Sequence, residues 1–335
     1  MKILVTGGLG YIGSHVSVLL LEKGYQVVIV DNLDNSSISV LDHIKKITNL
    51  SPVFEKLDVR NCDQMESLFS KHKDFSGVIH FAAYKAVGES VEDPLKYYDN
   101  NVLGFITLFN LIKERKIPLI FSSSATIYGD ADLVPIKENA PFKEAFSPYG
   151  KTKQICEDII RDITISDSSI KSVILRYFNP IGAHSSSLIG ELPNGEPQNL
   201  IPFITQTLIG KRNELMVFGN DYATKDGTCI RDYIHVMDLA EAHIKSLEYI
   251  SDSKNENNFE VFNIGTGKGH SVLEIINVFE KVAKKKIKYT ISSRRKGDVA
   301  VSYADCSKAR EILKWTSKFS LEDSIASSWN WEKNN

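Results

Sequence analysis

The chain has 335 residues, a length that predicts about two domains at roughly 150 residues per domain. Its 42% apolar and 24% charged residues are typical of a soluble globular protein, and a net charge of −2 argues against a strongly basic nucleic-acid binder. No apolar run approaches the roughly 18 residues of a membrane span, and the four scattered cysteines, without a C-x-x-C pair, indicate reduced thiols in a cytoplasmic protein.

Short apolar runs alternate with amphipathic stretches along the first 180 residues. Continuous apolar runs are typical of strands buried on both faces. The runs are Ile3–Val5, Tyr25–Val30, Phe54–Val59, Val78–Ala82, Leu119–Phe121 and Val173–Leu175, with Val261–Ile264 much later. Between the first two runs, Ile12, Val16 and Leu19 have helical spacing, and Gly24 stands where that helix should end. The alternation predicts an α/β fold with a doubly wound parallel Rossmann sheet.

The composition changes after Asn179-Pro180. Residues 181–233 are richer in Gly, Pro, Asn and Ser and lose the alternation, whereas Val261–Gly265 resembles a return to the sheet. We therefore expect residues 1–180 plus about 234–265 to form the Rossmann domain. Residues of about 181–233 plus 266–335 should form a smaller mixed α/β domain.

A glycine motif follows the first predicted strand. Gly7, Gly10 and Gly13 form G-x-x-G-x-x-G where the first helix opens, which lets backbone N–H groups approach a pyrophosphate. Asp31 ends the second run 18 residues after Gly13, near the spacing of the acid that binds the adenosine ribose. A carboxylate there repels a 2′-phosphate, so the motif predicts NAD rather than NADP. The simpler interpretation is that Asp31 caps the next turn. Asp58 could likewise meet an adenine amino group or be an ordinary turn residue.

A second motif carries groups for proton transfer. Ser147-Pro148 predicts a helix start, which places Tyr149 and Lys153 on one helical face, and Ser124 leaves a strand nearby. A phenol of pKa about 10 is a poor base at pH 7. An ammonium about 5 Å away contributes roughly 3 kcal/mol at an effective dielectric of about 20, so we expect Lys153 to lower the pKa of Tyr149 by about two units. Alone, Tyr-x-x-x-Lys is more often a surface pair, and the glycine motif is what favours catalysis.

Matching stretches place the chain close to a known family. It resembles the extended short-chain dehydrogenase/reductase family and, within it, the UDP-glucose 4-epimerases. The stretches that carry the resemblance are Thr6–His15, Asp31–Ser36, His80–Ser90, Tyr97–Asn101, Ser122–Asp130, Leu175–His184, Arg231–Ala240 and Arg295–Asp298.

The resemblance implies a role for each matching position. Tyr149 would be the general base, Lys153 its electrostatic partner, and Ser124 a hydrogen-bond partner of the sugar O4. NAD would be lined, beside the three catalytic residues, by Gly7, Gly10, Tyr11, Ile12, Gly13, Asp31, Asn32, Asn35, Ser36, Asp58, Val59, Phe81, Ala82, Ala83, Lys85, Asn100 and Phe178. The UDP-sugar, which would also meet Ser124 and Tyr149, would be held by Asn179, Asn199, Leu200, Met216, Phe218, Arg231, Tyr233, Arg295, Asp298 and Ser302.

A guanidinium group can donate two parallel hydrogen bonds to a diphosphate, which supports the roles implied for Arg231 and Arg295. The alternative for Arg295 is a solvated member of a basic run. The two domains would then be NAD-binding and UDP-sugar-binding. Relatives are usually homodimers, so the resemblance also implies a homodimer.

The implied reaction is C4 epimerisation of UDP-glucose and UDP-galactose. Tyr149 would take the O4 proton while C4 is oxidised, the 4-keto sugar would turn over, and hydride would return to the other face. A nucleotide-sugar 4,6-dehydratase is a second interpretation, but its relatives carry an Asp-Glu pair where this chain has Ala125-Thr126. A non-catalytic NAD-binding protein is a third, and the presence of both Tyr149 and Lys153 argues against it.

Ser302 is expected to govern which sugars are accepted. Relatives restricted to UDP-glucose and UDP-galactose carry Tyr at the matching position, and relatives that accept N-acetylated sugars carry a small residue. Ser302 therefore predicts additional activity on UDP-GlcNAc and UDP-GalNAc. The alternative is an ordinary small residue of a strand or loop.

The histidines show no metal-binding spacing, so no metal site is expected. His80, after a strand, is interpreted as a core residue.

Overall fold

The computed structural model describes residues 1–295 and 297–335. Its strands are β1 (Lys2–Thr6), β2 (Gln26–Val30), β3 (Val53–Glu55), β4 (Phe75–His80), β5 (Leu119–Ser124), β6 (Ser172–Tyr177), β7 (Asn179–Ile181), β8 (Leu215–Phe218), β9 (Ile230–Arg231), β10 (Tyr233–His235), β11 (Phe259–Ile264), β12 (His270–Ser271), β13 (Tyr289–Ser292) and β14 (Val301–Ser302). Its helices are α1 (Tyr11–Glu22), α2 (Ser39–Thr48), α3 (Cys62–Lys71), α4 (Val87–Glu92), α5 (Pro94–Tyr97), α6 (Gly104–Arg115), α7 (Pro148–Ser166), α8 (Leu200–Leu208), α9 (Val236–Ser251), α10 (Val272–Ala283), α11 (Ser307–Ile312) and α12 (Leu321–Asn334).

Seven strands form one sheet in the order β11-β6-β5-β4-β1-β2-β3. The pairs of β1 with β2 and β4, of β2 with β3 and of β4 with β5 are parallel, with Leu4 opposite both Val28 and Val78. The order reverses between β1 and β4, as in a doubly wound sheet, so the predicted fold class is confirmed. The third strand is shorter than expected and ends at Glu55, which leaves Asp58 in the following loop.

The apolar runs are buried because helices cover both faces of the sheet. Leu4, Val28 and Val78 join Phe105 and Phe121 in one hydrophobic cluster. Parallel strands direct their carboxyl ends to one edge. The carboxyl ends of β1, β2, β4 and β5 therefore lie along the same edge; the glycine motif, Asp31 and Phe81 directly follow the first three of these strands, and Ser124 ends β5.

The chain divides into two compact units. Unit 1 comprises Met1–Ile127, Glu144–Arg176 and Ala240–Phe262, and unit 2 comprises Tyr128–Lys143, Tyr177–Leu239 and Asn263–Asn335. This division differs from the expected one chiefly at residues 128–143, which group with unit 2. A physical reason is visible within unit 2: the main chain of Ile136 pairs with residues 303–305, and the Tyr128 hydroxyl donates to the Asn263 side chain at 2.7 Å.

Unit 2 contains three small sheets, β10-β7, β12-β9-β14 and β13-β8. A separate hydrophobic cluster, including Ile204, Val217, Phe279 and Trp329, holds its helices against these strands. Among residues 1–295 and 297–335, no helix combines the length and the apolar character needed to cross a membrane.

Candidate active site

The turn between β1 and α1 is closely packed around its glycines. A Cβ on Gly7, whose φ is +69°, would lie 2.7 Å from the backbone nitrogen of Ala82, and a Cβ on Gly13 would lie 2.3 Å from the Gly7 oxygen. Gly10 precedes α1 and has no side chain that could cap its first N–H groups. The helix N-terminus therefore presents backbone donors to an anion, which fits a dinucleotide pyrophosphate.

Asp31 is buried directly after β2 and faces the glycine turn. One carboxylate oxygen accepts from the Leu9 nitrogen at 3.0 Å, and the other accepts from the Leu33 nitrogen at 3.0 Å and the Ser36 hydroxyl at 2.7 Å. Asp31 thus does stabilise the following turn. It also lies beside the glycine motif, where a ribose is expected, so the two interpretations are compatible.

Asp58 is held by Arg60 and Asn32. Arg60 donates from Nε at 3.0 Å and from a terminal nitrogen at 2.7 Å, and the Asn32 amide donates at 3.3 Å. These hydrogen bonds, that of Arg60 foremost, lower the pKa of Asp58 to about 2, so the group is a carboxylate at neutral pH.

The structure distributes the other expected NAD residues as follows. Tyr11 and Ile12 open α1, Asn35 and Ser36 follow Asp31, Val59 follows Asp58, and Phe81, Ala82, Ala83 and Lys85 follow β4. Asn100 lies in a π-helical segment, Tyr98–Leu103, and all of these belong to unit 1. Phe178 belongs to unit 2.

Tyr149 and Lys153 lie on α7 as the sequence predicts. The Ser147 side chain caps the helix by accepting from the Gly150 nitrogen at 3.2 Å, and Pro148 occupies the first turn. Tyr149 is buried and lies close enough to Ser124 for that side chain to influence the pKa of its phenol. The Lys153 ammonium donates to the Ser122 main-chain oxygen at 2.8 Å and lies 4.9 Å from the centre of the Phe121 ring. The three residues therefore form one cluster within unit 1.

Burial decides the protonation of this cluster. Burial raises the pKa of Tyr149 to about 12, against a smaller lowering by the Ser124 hydrogen bond. Burial also lowers the pKa of Lys153 to about 8, partly opposed by Cys156 and Glu157. For the chain alone, the expected lowering of the Tyr149 pKa is therefore wrong: desolvation of the phenol outweighs the effect of Ser124, and Lys153 is not among the groups that shift this pKa.

Sequence reasoning missed a buried charged network behind the cluster. Glu157 forms a fork-like ion pair with Arg176, at 3.0 Å to Nε and 2.6 Å to a terminal nitrogen, and accepts a short hydrogen bond from the Ser123 hydroxyl. Ser123 lies between Ser122 and Ser124, so the network fixes the end of β5. The helical spacing of Tyr149, Lys153 and Glu157 on one face was the signal that could have found it.

Asn101 was also missed. Its side chain accepts from the Tyr84 nitrogen at 2.8 Å, donates to the Tyr84 oxygen at 3.0 Å, and donates to Thr152 on α7 at 3.1 Å. It thereby joins the segment after β4 to the helix of Tyr149. The π-helical segment that carries it is of a kind often found at functional sites.

Unit 2 brings two arginines to one carboxylate. Arg295 donates to Asp298 from Nε at 3.2 Å and from a terminal nitrogen at 2.8 Å, and Arg231 lies 3.7 Å from the same carboxylate. The Arg295 side chain is largely exposed, as the basic-run interpretation also expects. Asp298 can hold both guanidinium groups in place.

The remaining expected substrate residues also lie in unit 2. Asn179 is on β7, Asn199 and Leu200 open α8, and Met216 and Phe218 are exposed on one face of β8. Tyr233 is buried on β10, and Ser302 on β14 stands opposite Arg231 in a parallel pair.

Asp232, which the sequence analysis left out, orders this part of unit 2. It is fully buried and accepts from Thr266, Gly267 and Ala304 main-chain nitrogens at 2.8, 3.0 and 3.2 Å. Two distant segments, at residues 266–267 and at Ala304, are therefore tied to the residue between Arg231 and Tyr233.

His80 fits its interpretation as a core residue. Burial lowers its pKa to about 3, so the ring is neutral, and it lies 2.7 Å from the Thr6 hydroxyl and stacks on Phe121.

Comparison with known proteins gives consistent matches over the whole chain. A family model described as GDP-mannose 4,6 dehydratase matches residues 4–328. A UDP-glucose 4-epimerase of Bacillus subtilis is 48% identical over 100% of this chain and 98% of its own length.

Two solved structures are similar to the whole fold. One is a UDP-glucose 4-epimerase from Stenotrophomonas maltophila with bound NAD and formylated UDP-arabinopyranose, at 45% identity and a TM-score of 0.96, covering 100% of this chain and 98% of that chain. The other is a UDP-glucose 4-epimerase from Bifidobacterium longum in complex with NAD+ and UDP, at 45% identity and a TM-score of 0.95, covering 100% and 99%.

Proposed function

The chain belongs to the UDP-glucose 4-epimerase family, and from that premise we propose that it interconverts UDP-glucose and UDP-galactose with NAD as cofactor. One observation carries the proposal. Tyr149 lies close enough to Ser124 for that side chain to lower the pKa of its phenol, and Lys153 follows one turn later, in the unit that also contains the glycine turn. A proton-transfer group and a dinucleotide turn in one unit suit reversible oxidation of a hydroxyl.

The proposed roles follow from the contacts of each side chain. Tyr149 exchanges a proton with the sugar O4, and Ser124 donates or accepts a hydrogen bond at the same oxygen. Lys153 holds its positive charge near the cluster through Ser122 and suits the nicotinamide ribose hydroxyls. When bound, NAD supplies the hydride acceptor and donor for C4, and its positive charge in the oxidised form favours the phenolate.

The residues around the glycine turn fit the cofactor. Uncapped N–H groups at the start of α1 suit the pyrophosphate, and the Asp31 carboxylate suits the adenosine ribose. Asp31 also disfavours a 2′-phosphate, which supports NAD over NADP. The other NAD-lining residues named from the sequence, Phe178 among them, are proposed to complete the site.

Unit 2 supplies chemistry that suits UDP. Arg231 and Arg295 offer guanidinium donors to the diphosphate, and Asp298 holds them. The exposed ring of Phe218 and the side chain of Met216 suit a flat pyrimidine base. Asn179, Asn199, Leu200 and Tyr233 are proposed to complete the set. We also assign to this unit the sugar selectivity, at Ser302.

The test is direct incubation of purified protein with each UDP-sugar. The expected result is an equilibrium mixture of UDP-glucose and UDP-galactose without added NAD and without lasting absorbance near 340 nm. Unchanged sugar would contradict the proposal and would favour a non-catalytic NAD-binding protein.

A 4,6-dehydratase would instead yield a 4-keto-6-deoxy sugar, and the family model bears a dehydratase's description. Elimination across C5 and C6 needs further acid–base groups beside Ser124. The next two residues are Ala125 and Thr126, and the Thr126 main chain donates to Ser124 at 3.2 Å. Neither side chain is a carboxylate, so the contacts favour epimerisation.

A cytoplasmic homodimer is the proposed form of the enzyme. The free thiols Cys62, Cys156, Cys229 and Cys306 suit a reducing compartment. Exposed apolar side chains along α4 to α6, namely Val87, Val91, Leu95, Leu103 and Ile106, suit a contact with a second copy. Light scattering measures the molar mass of wild type and of Leu95→Glu. The variant should be monomeric, because a charge buried in an apolar contact between two copies would destabilise the dimer.

A further inference from the structure

We propose that the Tyr84 hydroxyl and the Asp34 carboxylate form a latch over the bound NAD and set how slowly the cofactor leaves. The inference rests on the proposed NAD-dependent function and adds two residues to it. The Tyr84 hydroxyl donates a short hydrogen bond to an oxygen of Asp34, although the residues are 50 positions apart.

The strand order shows that this hydrogen bond joins segments on either side of the glycine turn. Asp34 follows β2 and Tyr84 follows β4, and β1 lies between those two strands in the sheet. Adjacent strands are about 4.8 Å apart, so the two segments that Tyr84 and Asp34 join leave the sheet about 10 Å from each other. The segment that emerges from β1 between them is the glycine turn, against which a pyrophosphate is expected to lie. A dinucleotide held at that turn would therefore lie next to the Tyr84–Asp34 bond.

Tyr84 is fixed before it meets Asp34. Asn101 binds both its main-chain nitrogen and its oxygen, at 2.8 and 3.0 Å. The Tyr84 ring lies 5.6 Å from that of Tyr97, and the Lys96 ammonium lies 4.5 Å from its centre. Lys96 is itself paired with Glu89 at 2.7 Å. These contacts hold the Tyr84 main chain and ring in place, so the position of its hydroxyl is well defined.

Asp34 lies on the opposite and more exposed side. Its main-chain nitrogen donates to the Asn32 side chain at 3.1 Å, and the residue is exposed. The segment of Asp34 also contains Asn32, Asn35 and Ser36, which are assigned to NAD. Opening of the latch would free this segment to move away from the glycine turn.

The chemistry of the pair suits a latch that stays closed at neutral pH. Burial and the bond to Asp34 raise the pKa of Tyr84 above its ordinary value, so the phenol keeps the proton that it donates. Hydrogen bonds to charged groups are stronger than neutral ones. The bond is nevertheless at the surface, so its loss should affect cofactor release more than folding.

The experiment measures NAD release from the purified holoenzyme. Protein loaded with NAD is diluted, and the NAD that remains bound is quantified over time after rapid gel filtration. Tyr84→Phe and Asp34→Ala should each release NAD about tenfold faster, the factor that corresponds to about 1.4 kcal/mol. The double variant should release NAD no faster than either single variant, because both changes remove the same bond. Tyr289→Phe, at an exposed tyrosine of unit 2, is the matched control and should release NAD like wild type.

Two results would overturn the latch. One is an unchanged release rate in Tyr84→Phe at an unchanged melting temperature. The other is a double variant whose rate is the product of the single effects, since the residues would then act separately. If wild type epimerises UDP-sugars but Tyr84→Phe releases NAD at the wild-type rate, the latch is wrong and the proposed function stands. If NAD release is faster in the Tyr84 and Asp34 variants than in wild type but wild type converts no UDP-sugar, the proposed function is wrong and the latch stands.

Discussion

The Lys153 ammonium lies 2.8 Å from the main-chain oxygen of Ser122, at the end of the strand that also provides Ser124. The lysine thus links α7 to β5 in addition to carrying charge. Its own pKa is lowered to about 8 by burial, while that of Tyr149 is raised to about 12. In the proposed reaction, the positive charge of oxidised nicotinamide would offset the burial that disfavours the phenolate.

Tyr149→Phe should keep NAD and UDP binding and lose most turnover. The ring retains its packing, while the hydroxyl that exchanges the proton is removed. General acid–base catalysis typically contributes 10²–10⁴-fold, so kcat should fall by about that factor. Initial rates with UDP-galactose check this, with bound NAD quantified in the same samples. Near-normal turnover in a folded Tyr149→Phe protein would contradict the proposed role.

Lys153→Met should change how stability depends on pH. The pKa of Lys153 is about 8 in the folded protein against 10.5 ordinarily. Between these values the unfolded chain binds more protons, so this group makes the free energy of unfolding rise with pH. Below pH 8 the folded protein bears a constant cost of about 3 kcal/mol from this group. Wild type should therefore gain stability relative to Lys153→Met between about pH 8 and 10.5.

Denaturant unfolding at several pH values, at matched NAD content, measures that difference. A stability difference that does not change with pH would show that Lys153 is not desolvated as described. Turnover of the variant should be strongly reduced at every pH.

The sequence predicted those helices and strands whose formation depends on residues close together in the chain. Ser147-Pro148 marks the start of α7 because a cap and a proline at the first turn act within a few residues. The apolar runs likewise located the strands, since burial on both faces leaves a continuous pattern.

Pairings between distant positions could not be derived in the same way. Glu157 and Arg176, Tyr84 and Asp34, and the junction of Ile136 with residues 303–305 each depend on how the chain folds back on itself. The helical spacing of Glu157 places it on the face of Tyr149 and Lys153, but a single sequence does not indicate which distant residue each of these side chains meets. The direction of the Tyr149 pKa shift was mispredicted for a related reason, because spacing reveals a neighbouring charge but not the extent of burial.

Gly13→Ala should abolish NAD retention. The added Cβ would lie 2.3 Å from the Gly7 oxygen and 2.8 Å from the Gly8 Cα, and neither backbone atom can move without opening the turn. Gly24→Ala is the control, because a Cβ there meets no described atom within 4 Å although its φ is +82°. The control should lose about 1–2 kcal/mol of stability, because alanine disfavours the left-handed conformation, and keep its NAD. NAD content after gel filtration distinguishes them, and equal content would contradict the packing described for the turn.

Arg176→Met should destabilise the protein by about 3–5 kcal/mol, because it leaves the Glu157 carboxylate buried without its partner. The double variant Glu157→Leu/Arg176→Met should recover most of that loss, since no buried charge remains. Its kcat should stay reduced, by up to about 10²-fold, because Ser123 no longer has the contact that fixes the end of β5. Denaturant melts and initial rates check the two effects. A double variant as unstable as Arg176→Met would contradict the ion-pair explanation.

Ser302→Tyr should suppress epimerisation of UDP-GlcNAc and UDP-GalNAc and spare UDP-glucose and UDP-galactose. Ser302 pairs with Arg231 across β14 and β9, so both side chains project to the same side of this small sheet. Tyr303 projects to the other side, where its ring would lie 3.2 Å from a Cβ on Gly269. Ser302, rather than its bulky neighbour, is therefore the residue beside the arginine assigned to the diphosphate.

The physical reason is the volume needed when the keto sugar turns over. Its C2 substituent sweeps through the pocket, and an acetamido group needs room that a tyrosine ring would occupy. Rates for all four UDP-sugars should be compared in wild type, Ser302→Tyr and the size-matched control Ser302→Ala, which should keep both activities. If Ser302→Tyr lowers both pairs equally, the residue acts on folding or on UDP rather than on sugar size. If wild type fails to convert UDP-GlcNAc, the pocket excludes acetylated sugars by other residues, and Ser302 does not set the selectivity.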